Sequence, residues 1–436
     1  MKLTIVGTGY QGLVVGTCFA DTGHQVTCVD TDAARIAALA GGTLPIHEPG
    51  LEELVARNLE EERLSFTTDM AEAVSDCLMV FLCVGTPLLP DGSADCSNVL
   101  EATRQLAQSM TGYRILVNKS TCPPGTAEEM ERILRENTSQ AFDIVVNPDF
   151  LKEGQAVDDF MKPDRVVLGC DDVRVREILK ELYGPFLRTG RPFLVMGKRS
   201  AELCKFATNV FLATRISLIN QLADLCEAYD ADINEVREGT AFDERIGAHS
   251  MMPGLGFGGP GLPKDLATTI QLAREKGIQH DLLSSVAAMN QRRQDNFVNR
   301  ILDYYGPAIN TKKFAIWGAS FKPRTDDLRN AISLKIIDRL REAGAEVTVF
   351  DPVAAARLRA RYGESLRIAN RYYDALDGAD GLVIVTEWSE FRRPDYERMG
   401  SLMREKVIFD GRNLYTPAVM KEHGFKYFSV GRKPVA

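Results

Sequence analysis

The chain has no cysteine after Cys226, although nine are present in its 436 residues. The chain beyond Cys226 therefore offers no thiol for nucleophilic catalysis. The nine, Cys18, Cys28, Cys77, Cys83, Cys96, Cys122, Cys170, Cys204 and Cys226, form no C-x-x-C pair and are odd in number. That argues against a disulfide framework and a zinc site and predicts reduced core thiols. No apolar run approaches the roughly 18 residues of a membrane span, and no charged start leads into an apolar stretch with a cleavage site. A cytoplasmic location without membrane attachment is expected. An excess of basic residues is also missing: the formal net charge is −8, which excludes nonspecific binding to nucleic acid or acidic lipid while leaving room for a local phosphate pocket. Low-complexity segments and short-period repeats are absent, so the expected partner is a small molecule.

What is present is ordinary globular material, 45% hydrophobic and 26% charged, long enough for two or three domains. Short apolar runs alternate with helical patterns at Leu3–Val6, Gln25–Val29, Leu78–Val84, Arg114–Asn118, Asp143–Asn147, Val166–Gly169 and Phe193–Met196. From Ser200 the pattern is helical, and alternation resumes at Lys313–Trp317, Glu346–Phe350, Gly381–Val385 and Lys406–Phe409. The expected class is α/β: two Rossmann-like, doubly wound parallel-sheet domains, 1–199 and 306–436, joined by a central helical region, 200–305. The glycine- and proline-rich loop Asp243–Gly261 reads as the most mobile element.

Gly7-Thr8-Gly9-Tyr10-Gln11-Gly12 follows the first strand, opens a helix, and precedes Asp30 by eighteen residues counted from Gly12. In that context the glycines allow a tight turn and close approach to a pyrophosphate, while Asp30 accepts from ribose hydroxyls. Asp30 and Asp32 would repel a 2′-phosphate, which favours NAD over NADP. Lys205 and Asn209 stand four apart on a predicted helix and share one face. On the residues alone Lys205 reads as a solvated helix-face lysine and Asp265 as a helix N-terminal aspartate.

Further segments extend the pattern: Leu44–Leu51, Val84-Gly85-Thr86-Pro87, Lys119–Thr126 (KSTCPPGT), Asn147–Gly154 (NPDFLKEG), Ala201–Asn209 (AELCKFATN), Gly256–Asp265 (GFGGPGLPKD), Phe321–Arg329 (FKPRTDDLR) and Phe409–Arg412. In this order they resemble the UDP-glucose and GDP-mannose 6-dehydrogenase family over roughly Lys2 to Arg412. The resemblance implies an NAD-dependent nucleotide-sugar dehydrogenase with Lys205, Asn209, Asp265, Thr121 and Glu153 in catalysis. Cofactor contacts are implied for Gly7, Gly9, Tyr10, Gln11, Gly12, Asp30, Thr86, Thr121, Glu153 and Lys264. Substrate contacts are implied for Asp149, Phe150, Leu151, Lys152, Lys205, Asn209, Phe257, Gly258, Gly261, Phe321, Lys322 and Arg412. It further implies that the helical region forms a homodimer in which Arg245 is donated across the interface. Asp149 replaces a family glutamate, and the second α/β domain, with only Gly318, is not expected to take a dinucleotide.

Where the family loop reads GFGGSCFPKD, with cysteine as nucleophile, this chain has Pro260, Gly261 and Leu262. The thiol that traps the aldehyde for a second oxidation is gone. The leading expectation is therefore a single two-electron oxidation near C6, a secondary alcohol to a ketone on a heptose or octose of an antibiotic-sugar pathway. Alternatives are a four-electron UDP-glucose-type 6-dehydrogenase working through a hydrated aldehyde, in which Glu153 or Asp265 activates water, and Cys122 acting as a substitute nucleophile. A non-catalytic binder of NAD and nucleotide sugar would need the binding loops but not Lys205, Asn209 and Asp265.

Overall fold

The computed structural model describes residues 1–188 and 190–435. It comprises two compact units that part between Thr208 and Asn209, inside one uninterrupted helix, Lys198–Ala228. The first turn of that helix belongs to the first unit because Ala201 is buried with Val6 and Val146.

In the first unit, β1 (Lys2–Val6), β2 (Gln25–Val29), β3 (Leu64–Thr67), β4 (Met79–Leu82), β5 (Arg114–Asn118), β6 (Phe142–Val146), β7 (Val166–Gly169) and β8 (Phe193–Met196) form one sheet. Its order is β3-β2-β1-β4-β5-β6-β7-β8, and the first six follow the doubly wound order, with a switch point between β1 and β4. One pairing departs from parallel: β6 meets β7 antiparallel through Val146 and Gly169. The central strands β4 and β5 are buried along their whole length, as expected when helices cover both faces. Leu3 and Ile5 therefore pack on one side with Phe19, Phe81 and Phe160, while Val6, Leu82 and Met130 pack on the other. Phe19 is the hub of the first cluster, with ring centroids 5.0 Å from Phe160 and 5.6 Å from Tyr183. These edge-on contacts add to the burial of each ring.

The second unit continues with the helices Ile233–Ala241, Leu262–Glu275 and Asp281–Tyr305. A six-stranded sheet follows: β9 (Lys313–Trp317), β10 (Glu346–Phe350), β11 (Arg367–Ile368), β12 (Gly381–Ile384), β13 (Val407–Asp410) and β14 (Lys426–Phe428). The order β11-β10-β9-β12-β13-β14 repeats the winding of the first sheet. No helix among the described residues is long and apolar enough to cross a membrane.

The expected class is observed, with a systematic omission. The strands that the sequence pattern missed, β3, β11 and β14, each lie at a sheet edge and are only partly buried. An edge strand packs fewer side chains, so its sequence carries less apolar signal.

Candidate active site

At the carboxyl end of β1 the chain turns through Gly7 with φ +96°, a conformation that favours glycine. A Cβ on Gly7 would stand 2.8 Å from the Cys83 oxygen, and one on Gly12 would stand 1.8 Å from the Gly7 oxygen. Gly9 instead faces open space, with nothing within 4 Å of its Cβ position. No side chain caps the Tyr10–Asp21 helix that starts there, which leaves its amides for an anion.

Asp30, following β2, accepts from the Thr8 amide at 2.7 Å, the Thr8 hydroxyl at 2.8 Å and Arg35 at 3.1 Å. Burial pushes its pKa up, but these donors together with the Asp32 amide and the Arg35 charge outweigh it and hold the carboxyl below its usual range. An ionised carboxylate, an uncapped helix and a side-chain-free approach over Gly9 together fit a dinucleotide. Tyr10 and Gln11 make protein contacts: the Tyr10 hydroxyl donates to Glu48, and Gln11 Nε2 donates to the Lys119 carbonyl at 2.9 Å.

Glu48, in the Leu44–Leu51 segment, is buried. It accepts from the Gly154 amide at 2.6 Å and the Ala156 amide at 2.7 Å, and so fastens the end of the Asn147–Gly154 loop. Glu153 lies in the same loop, and its charge adds to burial and Glu48 in raising the Tyr10 phenol. At the loop's start, the buried Lys119 ammonium donates to Asn147 Oδ1 at 3.0 Å, and the Tyr183 hydroxyl donates to the same oxygen at 2.5 Å. Burial lowers the Lys119 pKa while the charge of Asp149 opposes the shift.

Asp149 folds back to accept from the Leu151 amide at 3.0 Å. The Phe150 ring has the Arg165 guanidinium 3.6 Å and the Lys205 ammonium 5.7 Å from its centroid. Leu151 packs on the first core cluster, and Lys152 pairs with Asp159 at 2.9 Å. Asn147, Asp149, Phe150 and Arg165 line a cavity of ≈ 60 Å³.

Thr121 and Thr86 meet, the Thr86 hydroxyl donating to the Thr121 carbonyl at 2.9 Å. The turn beyond Thr121 is held by Glu202, one helical turn ahead of Lys205, which accepts from the Gly125 amide at 2.7 Å and the Ala127 amide at 2.9 Å. Sequence reasoning missed Glu202, although it stands in the AELCKFATN segment. Cys122, the alternative nucleophile, lies in the core. It is 2% exposed, packs in the core with Leu82 and Met130, and its thiol is raised by a hydrogen bond with Cys96 and by burial.

In the second unit Asp265 is 1% exposed and lies in the first turn of the Leu262–Glu275 helix, where the helix dipole favours its charge. Asn209 Nδ2 donates to its Oδ2 at 2.5 Å. Its Oδ1 has no hydrogen-bond partner, with the Lys264 ammonium 3.6 Å away. A buried acceptor left open in this way suits a substrate hydroxyl or a water.

Gly261 caps this helix at φ −90° and ψ −69°, which any residue can adopt. Only Asn209 Nδ2, at 4.0 Å, lies near its Cβ position. Neither backbone nor packing demands the glycine. Gly258 differs: a Cβ there would meet the Asn330 oxygen at 2.3 Å. One on Gly259 would enter the Phe321 ring.

The glycine-rich loop is more firmly held than its composition suggests. The Phe257 amide donates to Asn290 at 2.8 Å, Arg293 donates to the Gly254 carbonyl at 2.9 Å, and Asn330 donates to the Gly259 carbonyl at 3.1 Å. These three anchors lie far along the sequence, so no local pattern marked them.

Arg412 donates to the Val385 carbonyl at 2.6 Å, pairs with Glu387 at 3.1 Å, and stands beside Gly254. Lys322 lies over the Phe321 ring at 5.7 Å. Arg245 is not part of this group: it is 87% exposed and pairs with Asp243 at 2.6 Å. In the second sheet Asp351, the counterpart of Asp30, is saturated by the Ala319, Ser320, Val353 and Ala354 amides.

Three family models match consecutive stretches of the chain. Residues 1–187 match the NAD binding domain of the UDP-glucose/GDP-mannose dehydrogenase family, 199–292 its central domain, and 315–417 its UDP binding domain. The chain belongs to this family. It is 44% identical to a UDP-glucose 6-dehydrogenase of Pseudomonas aeruginosa, over 99% of this chain and 98% of that one. It is 43% identical to a UDP-glucose 6-dehydrogenase of Rhizobium meliloti, over 99% and 100%. Among solved structures, a UDP-glucose dehydrogenase of Pyrobaculum islandicum superposes with a TM-score of 0.91 at 36% identity, covering 99% of this chain and 98% of that one. Family membership makes the chain an NAD-dependent oxidoreductase of the nucleotide-sugar class.

Two outcomes follow for this family member. Glu202 has its pKa raised to about 7, chiefly by burial, with the Gly125 and Ala127 amides opposing. The folded state thus binds more protons than the unfolded one between about 4.5 and about 7, so stability falls as pH rises through that window and levels above it. Glu202→Gln is expected to flatten that slope, read as melting temperature against pH for both proteins. Asp265→Asn is expected to lower kcat by about 10²–10⁴-fold while the affinity for NAD stays unchanged, checked by steady-state kinetics and a binding titration.

Proposed function

We propose that this chain oxidises C6 of a UDP-hexose of the glucose type to the uronate, using two NAD per sugar. The observation that carries the chemistry is the buried Asp265, tied to Asn209 through one oxygen, while the other faces the Lys264 ammonium at 3.6 Å and has no hydrogen-bond partner among the described residues. The end-to-end similarity to proteins named UDP-glucose 6-dehydrogenase supports the substrate class more than it supports a ketone-forming step on a heptose or octose.

NAD supplies the hydride acceptor. Asp265 Oδ1 takes the C6 hydroxyl proton, and Lys205 and Asn209 hold the oxygen as its charge changes. The alcohol becomes an aldehyde, releasing one NADH and one proton. Water adds to the aldehyde, assisted by Glu153 or Asp265, and the resulting gem-diol loses a second hydride to a second NAD. The sum is one alcohol, one water and two NAD giving one carboxylate, two NADH and three protons. No covalent adduct is needed, which accommodates Gly261.

A second reading retains support from Gly261 itself. Without a thiol the reaction stops after one hydride, at a carbonyl product, and the open space beside Asn209 takes a larger sugar.

The proposed enzyme works as a cytoplasmic homodimer. Phe211, Leu218, Leu225 and Tyr229 are exposed at 72%, 51%, 51% and 81% along one stripe of the Lys198–Ala228 helix. Phe211, Leu218 and Leu225 recur every seven residues on that helix and Tyr229 follows its last residue; such a stripe suits a second copy of the chain, with Arg245 reaching the partner's site.

Two NADH per UDP-glucose with UDP-glucuronate as product is the expected stoichiometry, measured by absorbance and mass spectrometry. One NADH with a carbonyl product would install the second reading. Gly261→Cys fits the available space and is expected to speed carboxylate formation. For the assembly, Phe211→Asp is expected to shift the mass in solution from dimer to monomer by light scattering. A wild-type monomer would remove the partner role of Arg245.

A further inference from the structure

Arg165 takes no part in the proposed chemistry, yet its side chain joins the two segments that meet at Lys205. It stands immediately before β7, whose four residues are all buried, so the strand fixes where its side chain starts. Its guanidinium carbon lies 3.6 Å from the centroid of the Phe150 ring, and its Nη2 donates to the Thr208 hydroxyl at 3.4 Å. Phe150 belongs to the Asn147–Gly154 loop, and Thr208 stands one turn beyond Lys205 in the Lys198–Ala228 helix.

Both contacts bear on the lysine. The Lys205 ammonium stands 5.7 Å from the centroid of the same Phe150 ring, within the range at which an aromatic face attracts a cation. Phe150 and Cys204 pack against one cluster, which includes Val146 and Val167, and Thr208 donates back to the Cys204 carbonyl at 2.8 Å. The start of the loop is tied to the strand that Arg165 precedes, because Asn147 Nδ2 donates to the Val167 carbonyl at 2.8 Å. Phe150 is only half-buried and, with Arg165, borders the cavity of ≈ 60 Å³. Packing alone does not hold a ring that has free space beside it, so the guanidinium supplies the missing constraint.

We propose that Arg165 is a positioning residue for the oxidation: by holding the Phe150 ring and the Thr208 hydroxyl it fixes the place of the Lys205 ammonium beside the substrate oxygen. A lysine ammonium rides on a long flexible stem, and ordering that stem costs conformational entropy. The ring held by Arg165 takes up part of this freedom before substrate arrives, and repulsion between the two cations limits it further. A planar guanidinium stacks on a ring face as an ammonium does not, so lysine is a poor replacement. Shifts of about 1 Å at a reaction site cost on the order of 10²-fold in rate, which sets the scale of the effect. The role rests on Lys205 holding the C6 oxygen, as proposed for the reaction.

The test measures steady-state kinetics of the full-length enzyme with UDP-glucose and NAD for Arg165→Leu, Phe150→Leu and Lys205→Ala, and for Arg165→Leu combined with each of the other two. NAD affinity and melting temperature check the fold, and where Arg165→Leu does not fold, Arg165→Lys carries the same comparisons. Arg165→Leu is expected to lower kcat by about 10²-fold at unchanged NAD affinity, with Arg165→Lys recovering only a small part. Once Phe150 or Lys205 is replaced, removing Arg165 is expected to cost little further, because groups that act as a unit are not additive. A purely structural arginine would multiply its effect in each background, and that result overturns the role. A crystal structure of Arg165→Leu reads the same point without regard to the sugar: the Phe150 ring is expected to leave its place beside Lys205, and an unmoved ring overturns the role. Wild-type kcat in Lys205→Ala removes the reading of Lys205 and this role together, whereas an impaired Lys205→Ala beside a fully active Arg165→Leu removes the positioning role alone.

Discussion

The hydrogen bond from Asn209 to Asp265, at 2.5 Å, is the interaction on which the site depends. It satisfies one oxygen of a carboxylate that is otherwise shut away from water, and leaves the second oxygen as a buried acceptor. Leaving such a group unmade costs on the order of 1–3 kcal/mol, which is tolerable where a substrate or water completes it. The helix N-terminus beneath Asp265 favours its charge. The same asparagine stands one turn beyond Lys205 on a helix without a break.

Other carboxylates solve a different problem. Glu48 and Glu202 accept backbone amides and fix the loops that bear Glu153 and Thr121. Asp410, fully buried and raised in pKa by that burial, accepts from the Arg412 amide at 2.9 Å and the Tyr427 hydroxyl at 2.7 Å, orienting the arginine that follows β13. Asp30 and Asp351 both lie beyond the second strand of a doubly wound sheet, and both accept from their own chain: Asp30 from the Thr8 and Asp32 amides, the Thr8 hydroxyl and Arg35, Asp351 from the Ala319, Ser320, Val353 and Ala354 amides.

Gly261 separates chemistry from conformation. Gly258 and Gly259 are required by the groups packed against them, whereas Gly261 adopts a backbone open to any residue and borders free space. The missing side chain is therefore a chemical feature of the loop. It leaves the hydrogen bond between Asn209 and Asp265 in place.

Hydrophobic periodicity and the glycine fingerprint were sufficient for the fold class, the two windings and the cofactor loop, because those signals are local and repeat along the chain. The motifs around Lys205, Asn209 and Asp265 were legible for the same reason: each lies in a short segment whose residues act close to where they stand in sequence. Edge strands such as Leu64–Thr67 were not legible, since partial burial leaves little apolar pattern. Nor were the roles of Glu48, Glu202, Asn290, Arg293 and Asn330, whose partners are remote in sequence and become neighbours only when the sheets and helices pack. Sequence alone determined which groups the chain possesses and that a thiol is missing from the loop. Only tertiary structure decided that Cys122 is turned into the core, that the glycine-rich loop is pinned, and that Asp265 keeps one oxygen open, because burial and hydrogen bonding are properties of the packed chain.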